Sequence, residues 1–429
     1  MTARLAYLVY ILTVAAAIAL VVRRRRAGGS SRLSVAEIAV ASAAAAALLV
    51  LTSGPPLVDF VKAYHHAGRA ALTAPASLYD CTRAQCFVNV PIVAVLFVPF
   101  APFDPVVAGV AFSLAGLLAL AVAMRRLASG PSSDLVIWLV VLNGPLYYSI
   151  RIGNITHFLL ILFIVAFDGI ARGQQRIPGM LLAGAALLKP PLAIFLLYLL
   201  IRRRTAAAAA MGAWALAALL LSVALFGAGL HHYWFQEFVL LHGSEALGAY
   251  NVQSAGGFLT HLLTRGHLND WYPLDIGRGF TLLRSGIAGI IVAAVFGVCW
   301  RAGYPRKVQA WYAELSLVLT TAILIAPIAW THYYVLLIIP VAALVSGRLS
   351  LPAWGRPPLA ISAALMSLPV VFFGFQGRIA NAVYERLLVS HFFFGGLLLL
   401  GLLLAVRLRA DGPPASLPRS AGAAGVQKA

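Results

Sequence analysis

The stretch AAAAAMGAWALAALLLSVALFGA, residues 206–228, follows three consecutive arginines and contains no charged side chain. A helix needs about 20 apolar residues to cross the hydrocarbon core of a bilayer, so this segment alone predicts a transmembrane span. The composition agrees, since 62% of the 429 residues are apolar and 10% are charged, against about 25% charged in soluble domains. The chain is therefore predicted to be an all-α, polytopic integral membrane protein, and a soluble enzyme is excluded.

Ten further stretches have the same apolar character, so about eleven membrane-spanning helices are predicted. A twelfth apolar segment, residues 178–201, is interrupted by Lys189-Pro190-Pro191 and is predicted to form a broken hairpin. Irregular backbone at membrane depth has to be buried in protein or line a polar cavity. The other predicted spans are 5–22, 36–53, 105–124, 134–150, 155–171, 282–300, 312–330, 333–346, 358–375 and 388–406.

Two segments between the spans, residues 54–104 and 229–281, are longer than a turn and are expected to carry function or structure of their own. The first contains the apolar, proline-rich stretch 90–102, which is too short to cross a bilayer. It is predicted to form a helix at the outer membrane interface. Residues 1–410 are interpreted as one transmembrane domain, and residues 411–429 as a disordered cytoplasmic tail.

The basic residues predict the orientation, because cytoplasmic loops carry an excess of Lys and Arg. With the amino terminus outside, 21 of the 32 basic residues fall in cytoplasmic segments and eight of the 13 acidic residues fall outside. The net charge of +19, which would suggest nucleic acid in a soluble chain, is thus explained by topology, and no nucleic-acid partner is expected. The predicted location is the plasma membrane, with the long loops outside.

Asp59 lies at the outer end of the second predicted span, close to Tyr64, His65 and His66. A carboxylate at this place can take a proton from a sugar hydroxyl, and a positioned general base contributes about 10²–10⁴ to a reaction rate. The structural alternative is that Asp59 caps a helix that begins near Phe60.

Lys189 is predicted near the middle of the membrane, at the apex of the broken hairpin. A charge there costs about 2.5–3.5 kcal/mol, so it is expected to be paired or functional. A fixed cation at this depth suits a phosphate group in a lipid-facing pocket. The structural alternative is an ion pair with Asp168 or Glu314.

Further polar residues are predicted to converge on the outer face of the membrane. They lie at the outer ends of predicted spans or in the second long loop: Arg151, Gly153, Asn154, His157, Asn251, Gln253, Ser254 and His332. In the first long loop, Cys81 and Cys86 are five positions apart, and both a local disulfide and two free thiols are compatible with that spacing.

Neither a metal site nor a nucleotide site is expected from the sequence. The closest acidic residues, Asp270 and Asp275, are too far apart to form the closely spaced pair that holds a divalent cation in many nucleotide-sugar transferases. His231-His232, His261 and His267 lack tight ligand spacing, and no phosphate-binding P-loop is present. An ATP-driven pump is therefore not expected, and no cofactor is predicted.

Taken in order, the motifs resemble glycosyltransferase family 87, the integral-membrane mannosyltransferases that use a polyprenyl-phosphate sugar donor. The sequence departs from the family pattern at two places: Asn89-Val90-Pro91 stands where the family has Tyr-Pro-Pro, and the family's Gln near Arg151 is missing. The matching positions are Asp59-Phe60, Tyr64, Ala67, Leu78-Tyr79, Gly153-Asn154, Ala183-Gly184, Lys189-Pro190, Asn251-Val252-Gln253-Ser254, Pro327, Trp330 and His332.

The resemblance implies a GT-C fold, a multi-span bundle whose active site lies at the outer leaflet. It implies that Asp59 is the general base, and that Lys189, His332 and Arg151 bind the donor phosphate in place of a metal. The residues implied for binding the sugar or the acceptor are Tyr64, His65, Asn154, Asn251, Gln253 and Ser254.

The leading hypothesis is transfer of mannose from a polyprenyl-phosphate donor to an envelope glycolipid or polysaccharide. Arabinofuranose is the alternative sugar within the same chemistry. A transporter or lipid flippase, in which the broken hairpin forms a gate, is an alternative of another class, although no inverted repeat is evident. A third alternative is a non-catalytic assembly partner, in which Asp59 would be dispensable.

Overall fold

The computed structural model describes residues 3–26, 34–52, 55–80, 86–128, 133–375 and 377–411. The described chain is almost entirely helical, with one two-stranded antiparallel ladder that pairs β1 (Ala246–Leu247) with β2 (Pro273–Leu274). The predicted all-α, polytopic membrane architecture is confirmed. The predicted tail is outside the described residues except for Asp411.

The helices follow the predicted spans closely. The α-helices are α1 (Ala3–Arg26), α2 (Val35–Leu51), α3 (His66–Thr73), α4 (Pro105–Leu127), α5 (Ser133–Val141), α6 (Gly144–Ile152), α7 (Leu159–Ala171), α8 (Arg176–Leu188), α9 (Ile194–Ile201), α10 (Thr205–Trp234), α11 (His242–Ser244), α12 (Ala255–Leu263), α13 (Arg278–Arg301), α14 (Val308–Ile325), α15 (Ile338–Val345), α16 (Arg356–Ser367), α17 (Arg378–Arg386) and α18 (His391–Arg409). The π-helices are Phe60–His65 and Phe235–Leu241, and the 3₁₀-helices are Pro75–Ser77, Pro91–Phe100, Ile155–Phe158, Pro190–Ala193, Thr331–Leu337 and Leu388–Ser390.

Within the described residues, six helical segments are long and apolar enough to cross a membrane, or seven if the bent pair α5–α6 counts as one span. The bend of 53° in that pair occurs at Asn143, whose side chain caps α6 by accepting from the Leu146 N–H at 2.9 Å. The predicted spans 36–53, 155–171 and 333–346 are present as shorter apolar helices, whereas the prediction for 358–375 is wrong at its end, because α16 stops at Ser367. The six segments are Arg4–Arg24, Pro105–Leu127, Thr205–Leu241, Arg278–Arg301, Val308–Ile325 and Arg378–Arg409.

Helix α14 forms the centre of the bundle. Every residue from Ala310 to Leu324 is buried, whereas α10 and α13 expose large apolar side chains such as Leu220 and Ile290. Such exposed apolar faces are rare on soluble proteins and are what a lipid-facing helix presents. Helix α14 ends at Ile325, five residues before the predicted end of this span, and the chain continues in extended conformation to Trp330.

The predicted broken hairpin is confirmed as a helix, a break and a second helix. Helix α8 ends at Leu188, and Lys189 has an extended backbone (φ −140°, ψ 92°) before the 3₁₀ turn Pro190–Ala193 leads into α9. The two prolines explain the break, because proline removes a helical N–H donor and restricts the residue that precedes it.

Glu314 on α14 is fully buried in a cluster of opposite charges. Arg407 Nε donates to Glu314 Oε1 at 2.7 Å, Arg202 donates to both carboxylate oxygens, and Tyr198 Oη donates at 2.9 Å. Breaking such a buried pair is strongly destabilising, since it leaves a charge without compensation. The cluster therefore joins α9, α14 and α18.

In the first long loop, the apolar stretch predicted as an interfacial helix forms the 3₁₀-helix Pro91–Phe100, which packs against α3. Cys86 is disulfide-bonded, and its candidate partner Cys81 lies outside the described residues. Cys299 is a free, buried thiol.

Candidate active site

Asp59 is held at the start of the π-helix Phe60–His65 by the preceding turn. Leu57 has a positive φ of 58°, which costs a non-glycine residue about 1–3 kcal/mol, and its N–H donates to the Arg151 carbonyl at 2.7 Å. The Asp59 side chain makes no capping hydrogen bond to the helix. The capping alternative is therefore not what the structure shows, and the carboxylate is directed to other partners.

Asn154 is the hydrogen-bond donor to Asp59, with 2.8 Å between Asn154 Nδ2 and Asp59 Oδ2. Gly153 makes this approach possible, because it ends α6 in the left-handed region at φ 71°, where glycine is favoured. A Cβ at Gly153 would also lie 2.6 Å from the Cβ of Phe60. The sequence Gly153-Asn154 thus brings the amide to the carboxylate.

Asp59 is half-buried as a residue, and densely packed protein surrounds its carboxylate. Burial raises the pKa of Asp59 above its usual value, while the Asn154 hydrogen bond and the positive charge of Lys189 act in the opposite direction. A carboxylate with a raised pKa is a stronger base than a solvated one.

Lys189 faces Asp59 from the break in the hairpin. Its side chain is buried, its Nζ lies 4.3 Å from the centroid of the Tyr333 ring, and it interacts electrostatically with Asp59. The alternative of an ion pair with Asp168 or Glu314 is wrong, because Asp168 pairs with Arg348 and Arg172, and Glu314 pairs with two other arginines as described above.

His332 contacts this group from the opposite side of the bundle. Its ring stacks on that of Tyr148 with 6.4 Å between centroids, and it interacts electrostatically with Lys189 and His157. Within the described chain, neither ring nitrogen of His332 has a hydrogen-bond partner, although the side chain is buried. Buried polar atoms are usually paired, so these nitrogens are suited to a ligand.

These side chains form one connected group, here called the Asp59 cluster. The carboxylate, the cation, the imidazole and the aromatic rings come from four separate segments of the chain. The members of the Asp59 cluster are Asp59, Tyr148, Asn154, Lys189, His332 and Tyr333.

Residues 251–254 of the second long loop lie beside the cluster and pair with the extended segment after α14. The Gln253 N–H donates to the Ala329 carbonyl at 2.6 Å, and the Thr331 N–H donates to the Asn251 carbonyl at 2.8 Å. The Asn251 amide donates to Tyr148 Oη at 3.3 Å and accepts from Trp271 Nε1 at 3.2 Å. Residue 251 therefore supports a member of the cluster.

The neighbouring predicted residues are engaged in packing. Gln253 Nε2 donates to the Tyr250 and Val389 carbonyls at 2.8 and 2.7 Å, and Ser254 caps α12 by accepting from the Gly257 N–H at 3.2 Å. The Gln253 Oε1 atom is buried without a partner among the described residues.

Three other predicted site residues lie around the cluster. Tyr64 interacts electrostatically with Asp59, and its ring stacks on Phe97 with 4.5 Å between centroids. His65 Nε2 lies 3.1 Å from the Phe103 carbonyl oxygen. Arg151 is directed to the end of α2, where Nη1 donates to the Leu49 carbonyl at 3.3 Å.

Sequence reasoning did not select Tyr148 and Tyr333. The signals available were their positions, because Tyr148 is three residues before Arg151 on the same helix and Tyr333 directly follows His332. Aromatic residues are common in an apolar chain, so position alone did not separate these two from the others.

The histidines that were considered for a metal are engaged elsewhere. His261 is buried between the Ser390 hydroxyl and the Gly248 and Ala249 carbonyls, and His267 Nδ1 lies 2.9 Å from Asp270 Oδ2. Over the described ranges, no group of three or more His, Cys, Asp or Glu side chains is arranged to hold a metal ion.

Comparison with known proteins assigns a family to this arrangement. The model of glycosyltransferase family 87 matches residues 87–327, more than half of the chain. The chain belongs to glycosyltransferase family 87. No curated protein and no solved structure matches it.

The region matched to glycosyltransferase family 87 includes Asn154, Lys189 and residues 251–254. Asp59 and His332 lie outside it and are joined to it by the contacts of the Asp59 cluster. At the departure from the family pattern, Asn89 Nδ2 donates to the Leu188 carbonyl at 2.7 Å. This hydrogen bond joins the first long loop to the residue before Lys189.

Proposed function

We propose that this family 87 glycosyltransferase moves mannose from polyprenyl-phosphate mannose to a hydroxyl group of an envelope glycolipid or polysaccharide. The observation that carries the proposal is the electrostatic interaction between one carboxylate, Asp59, and one buried cation, Lys189. The first can accept the proton of the acceptor hydroxyl, and the second can stabilise a departing phosphate.

The reaction is an inverting displacement at the anomeric carbon of the donor sugar. The acceptor oxygen forms a bond to that carbon while its proton moves to Asp59, and the bond from the carbon to the phosphate oxygen breaks. The electron pair of that bond stays on the polyprenyl phosphate, which is already a good leaving group. The protein therefore contributes positioning and charge stabilisation.

The donor phosphate is assigned to Lys189 and His332. Charge-assisted hydrogen bonds to phosphate are about twice as strong as neutral ones, and His332, whose ring nitrogens are unpaired among the described residues, interacts electrostatically with Lys189. Arg151 remains a proposed phosphate ligand, although its side chain would have to leave the Leu49 carbonyl. The polyprenyl chain would lie along the apolar surface of the bundle.

The residues proposed for sugar and acceptor binding lie in or next to the cluster. Support comes from the hydrogen bond between Asn251 and Tyr148, since the rings of Tyr148 and Tyr333 can pack against the apolar faces of a sugar. The proposed residues are Tyr64, His65, Asn154, Asn251, Gln253 and Ser254.

We propose that the cluster opens to the outside of the plasma membrane. Contacts between the basic segments support their location on one side of the membrane. Arg348 donates to the Arg126 carbonyl at 2.8 Å, and Arg202 donates to the Cys299 carbonyl at 2.7 Å. The positive-inside rule makes this side cytoplasmic. A reporter fused to the amino terminus should be exported, and a cytoplasmic reporter would reverse the orientation.

The decisive experiment is sugar transfer in membranes that carry wild type, Asp59→Asn or the matched control Asp80→Asn. Radiolabelled polyprenyl-phosphate mannose and, separately, polyprenyl-phosphate arabinose are the donors. We expect Asp59→Asn to lower turnover by at least about 100-fold with expression and donor binding retained. Asp80 is exposed in the same loop, so its variant should match wild type.

Each outcome distinguishes the candidate activities. Near-wild-type turnover by Asp59→Asn would refute the role of Asp59 as general base. Transfer from the arabinose donor alone would replace mannose by arabinofuranose. Family membership favours glycosyl transfer over the transporter alternative, and movement of intact donor without transfer would contradict that preference.

A further inference from the structure

We infer that Asn154 is a positioning residue for Asp59, fixed in turn by Thr156, and that its side chain does not act as a ligand of the sugar. This inference rests on the proposed function, because it concerns how the general base is held. It reassigns a residue that the family pattern places among the sugar-binding positions.

The Asn154 side chain is occupied at both ends by protein groups. Its Oδ1 accepts from the Thr156 N–H at 3.0 Å and from Thr156 Oγ1 at 2.7 Å, while its Nδ2 donates to Asp59 Oδ2 at 2.8 Å. A carbonyl oxygen has two lone pairs, so Oδ1 is saturated. Both lone pairs of the oxygen and one of the two N–H groups of Nδ2 are therefore used by protein groups.

Thr156 determines which end of the amide faces the carboxylate. A backbone N–H can only donate, so the Asn154 atom opposite the Thr156 N–H has to be the oxygen, and the NH₂ group has to face Asp59. The Thr156 hydroxyl, which is fully buried, can both donate and accept, so the backbone N–H decides the orientation and the hydroxyl adds a second bond to it. A rotation of the amide by 180° would break the bond from the Thr156 N–H and place an oxygen against the carboxylate.

The consequence for Asp59 is a fixed orientation and a stabilised ionised form. Oδ2 is engaged by the amide, whereas Oδ1 accepts no hydrogen bond from the described part of the chain and is left for the acceptor hydroxyl. A donor to a carboxylate favours ionisation, so loss of this bond should raise the pKa of the base. The other titratable groups that face Asp59 are Lys189, Tyr64 and Tyr148.

The test compares kcat, donor KM and the pH profile of transfer from polyprenyl-phosphate mannose for wild type and five variants. Asn154→Ala should lower kcat by about 10- to 100-fold, the effect of losing a hydrogen bond to a charged group, with little change in donor KM. The acidic limb of the pH profile of this variant should move to higher pH. Asn154→Asp should move that limb further, because two adjacent carboxyl groups raise one pKa.

Two variants of Thr156 keep the inference testable if a variant of Asn154 fails to fold. Thr156→Val should lower kcat by about 3- to 10-fold and shift the acidic limb in the same direction, and Thr156→Ser should restore both, since it keeps the hydroxyl. Asn143→Ala is the matched control: Asn143 is a buried cap of α6, so its loss should lower thermal stability without moving the limb.

Two results would overturn the inference. If Asn154→Ala raises the donor KM and leaves the acidic limb of the pH profile unchanged, Asn154 binds the sugar. If Thr156→Val and Thr156→Ser behave alike, the Thr156 hydroxyl does not help to position Asn154. Failure of the proposed function has a different signature, namely activity that survives in Asp59→Asn itself.

Discussion

Replacement of Lys189 by methionine removes the positive charge and keeps an unbranched apolar side chain against Tyr333. A phosphate oxygen about 4 Å from the ammonium group interacts with it by about 4 kcal/mol at an effective dielectric of about 20. Lys189 is buried, so solvent screening is weak. Part of this energy is offset because the variant no longer has to bury a charge, which leaves a loss of about 2–4 kcal/mol.

This loss corresponds to a fall of about 30- to 1,000-fold in kcat/KM for polyprenyl-phosphate mannose. Steady-state transfer with varied donor concentration measures it, and Lys189→Arg is the control, since it retains the charge at the same position. The acidic limb of the pH profile should also rise in Lys189→Met, because the charge of Lys189 holds down the pKa of Asp59. The limb should move less in Lys189→Arg.

The reasoning is refuted if Lys189→Met keeps the donor KM and kcat of wild type. A second contradictory result is an equal loss in Lys189→Arg and Lys189→Met together with a lowered thermal midpoint for both. In that case the side chain would act through packing against Tyr333, and the cation would have no part in phosphate stabilisation.

Two further variants test how the fold supports the site. Gly153→Ala should destabilise the protein by about 1–3 kcal/mol and lower kcat, because the added methyl group would displace Phe60. Gly184 has open space around it, so the control variant Gly184→Ala should be neutral. Thermal unfolding and transfer assays measure both variants. Glu314→Gln should lower the thermal midpoint, because it leaves two buried arginines without their carboxylate, a loss of about 3–5 kcal/mol in the free energy of unfolding. The exposed control Asp275→Asn should leave the midpoint unchanged. An unchanged midpoint in Glu314→Gln would contradict the prediction.

The spans could be predicted from the sequence because length and apolar character in a membrane depend on local composition. The break in the hairpin was also predictable, since Lys189-Pro190-Pro191 carries the cause of the break in its own residues. The ends of helices were harder to predict. Helix α14 ends at Ile325, before Ala326-Pro327, which is a local stop signal because proline restricts the residue that precedes it. The pairing of the following residues with 251–253 joins segments some 75 positions apart and leaves no local signal.

The partners of the ionisable residues could not be read from the sequence for a related reason. Asp168 and Glu314 were reasonable candidates for Lys189, because both are acidic residues in or next to predicted spans. In the structure, arginines from neighbouring segments neutralise both acids, and Asp59 from the first long loop faces the lysine. Which acid meets which base depends on tertiary packing over a hundred or more positions, and the local sequence does not encode it.

Most members of the Asp59 cluster lie next to an interruption of regular helix, whereas Tyr148 lies within α6. Asp59 directly precedes a π-helix, Asn154 follows a left-handed cap, Lys189 lies in an extended break, and His332 lies in the 3₁₀-helix Thr331–Leu337. Regular helices satisfy their own backbone groups and need no polar surroundings, whereas broken ones in a membrane persist only where protein or a polar cavity surrounds them. In this chain the interruptions of the helices therefore indicate where the proposed active site lies, while the uninterrupted helices indicate the membrane-spanning segments.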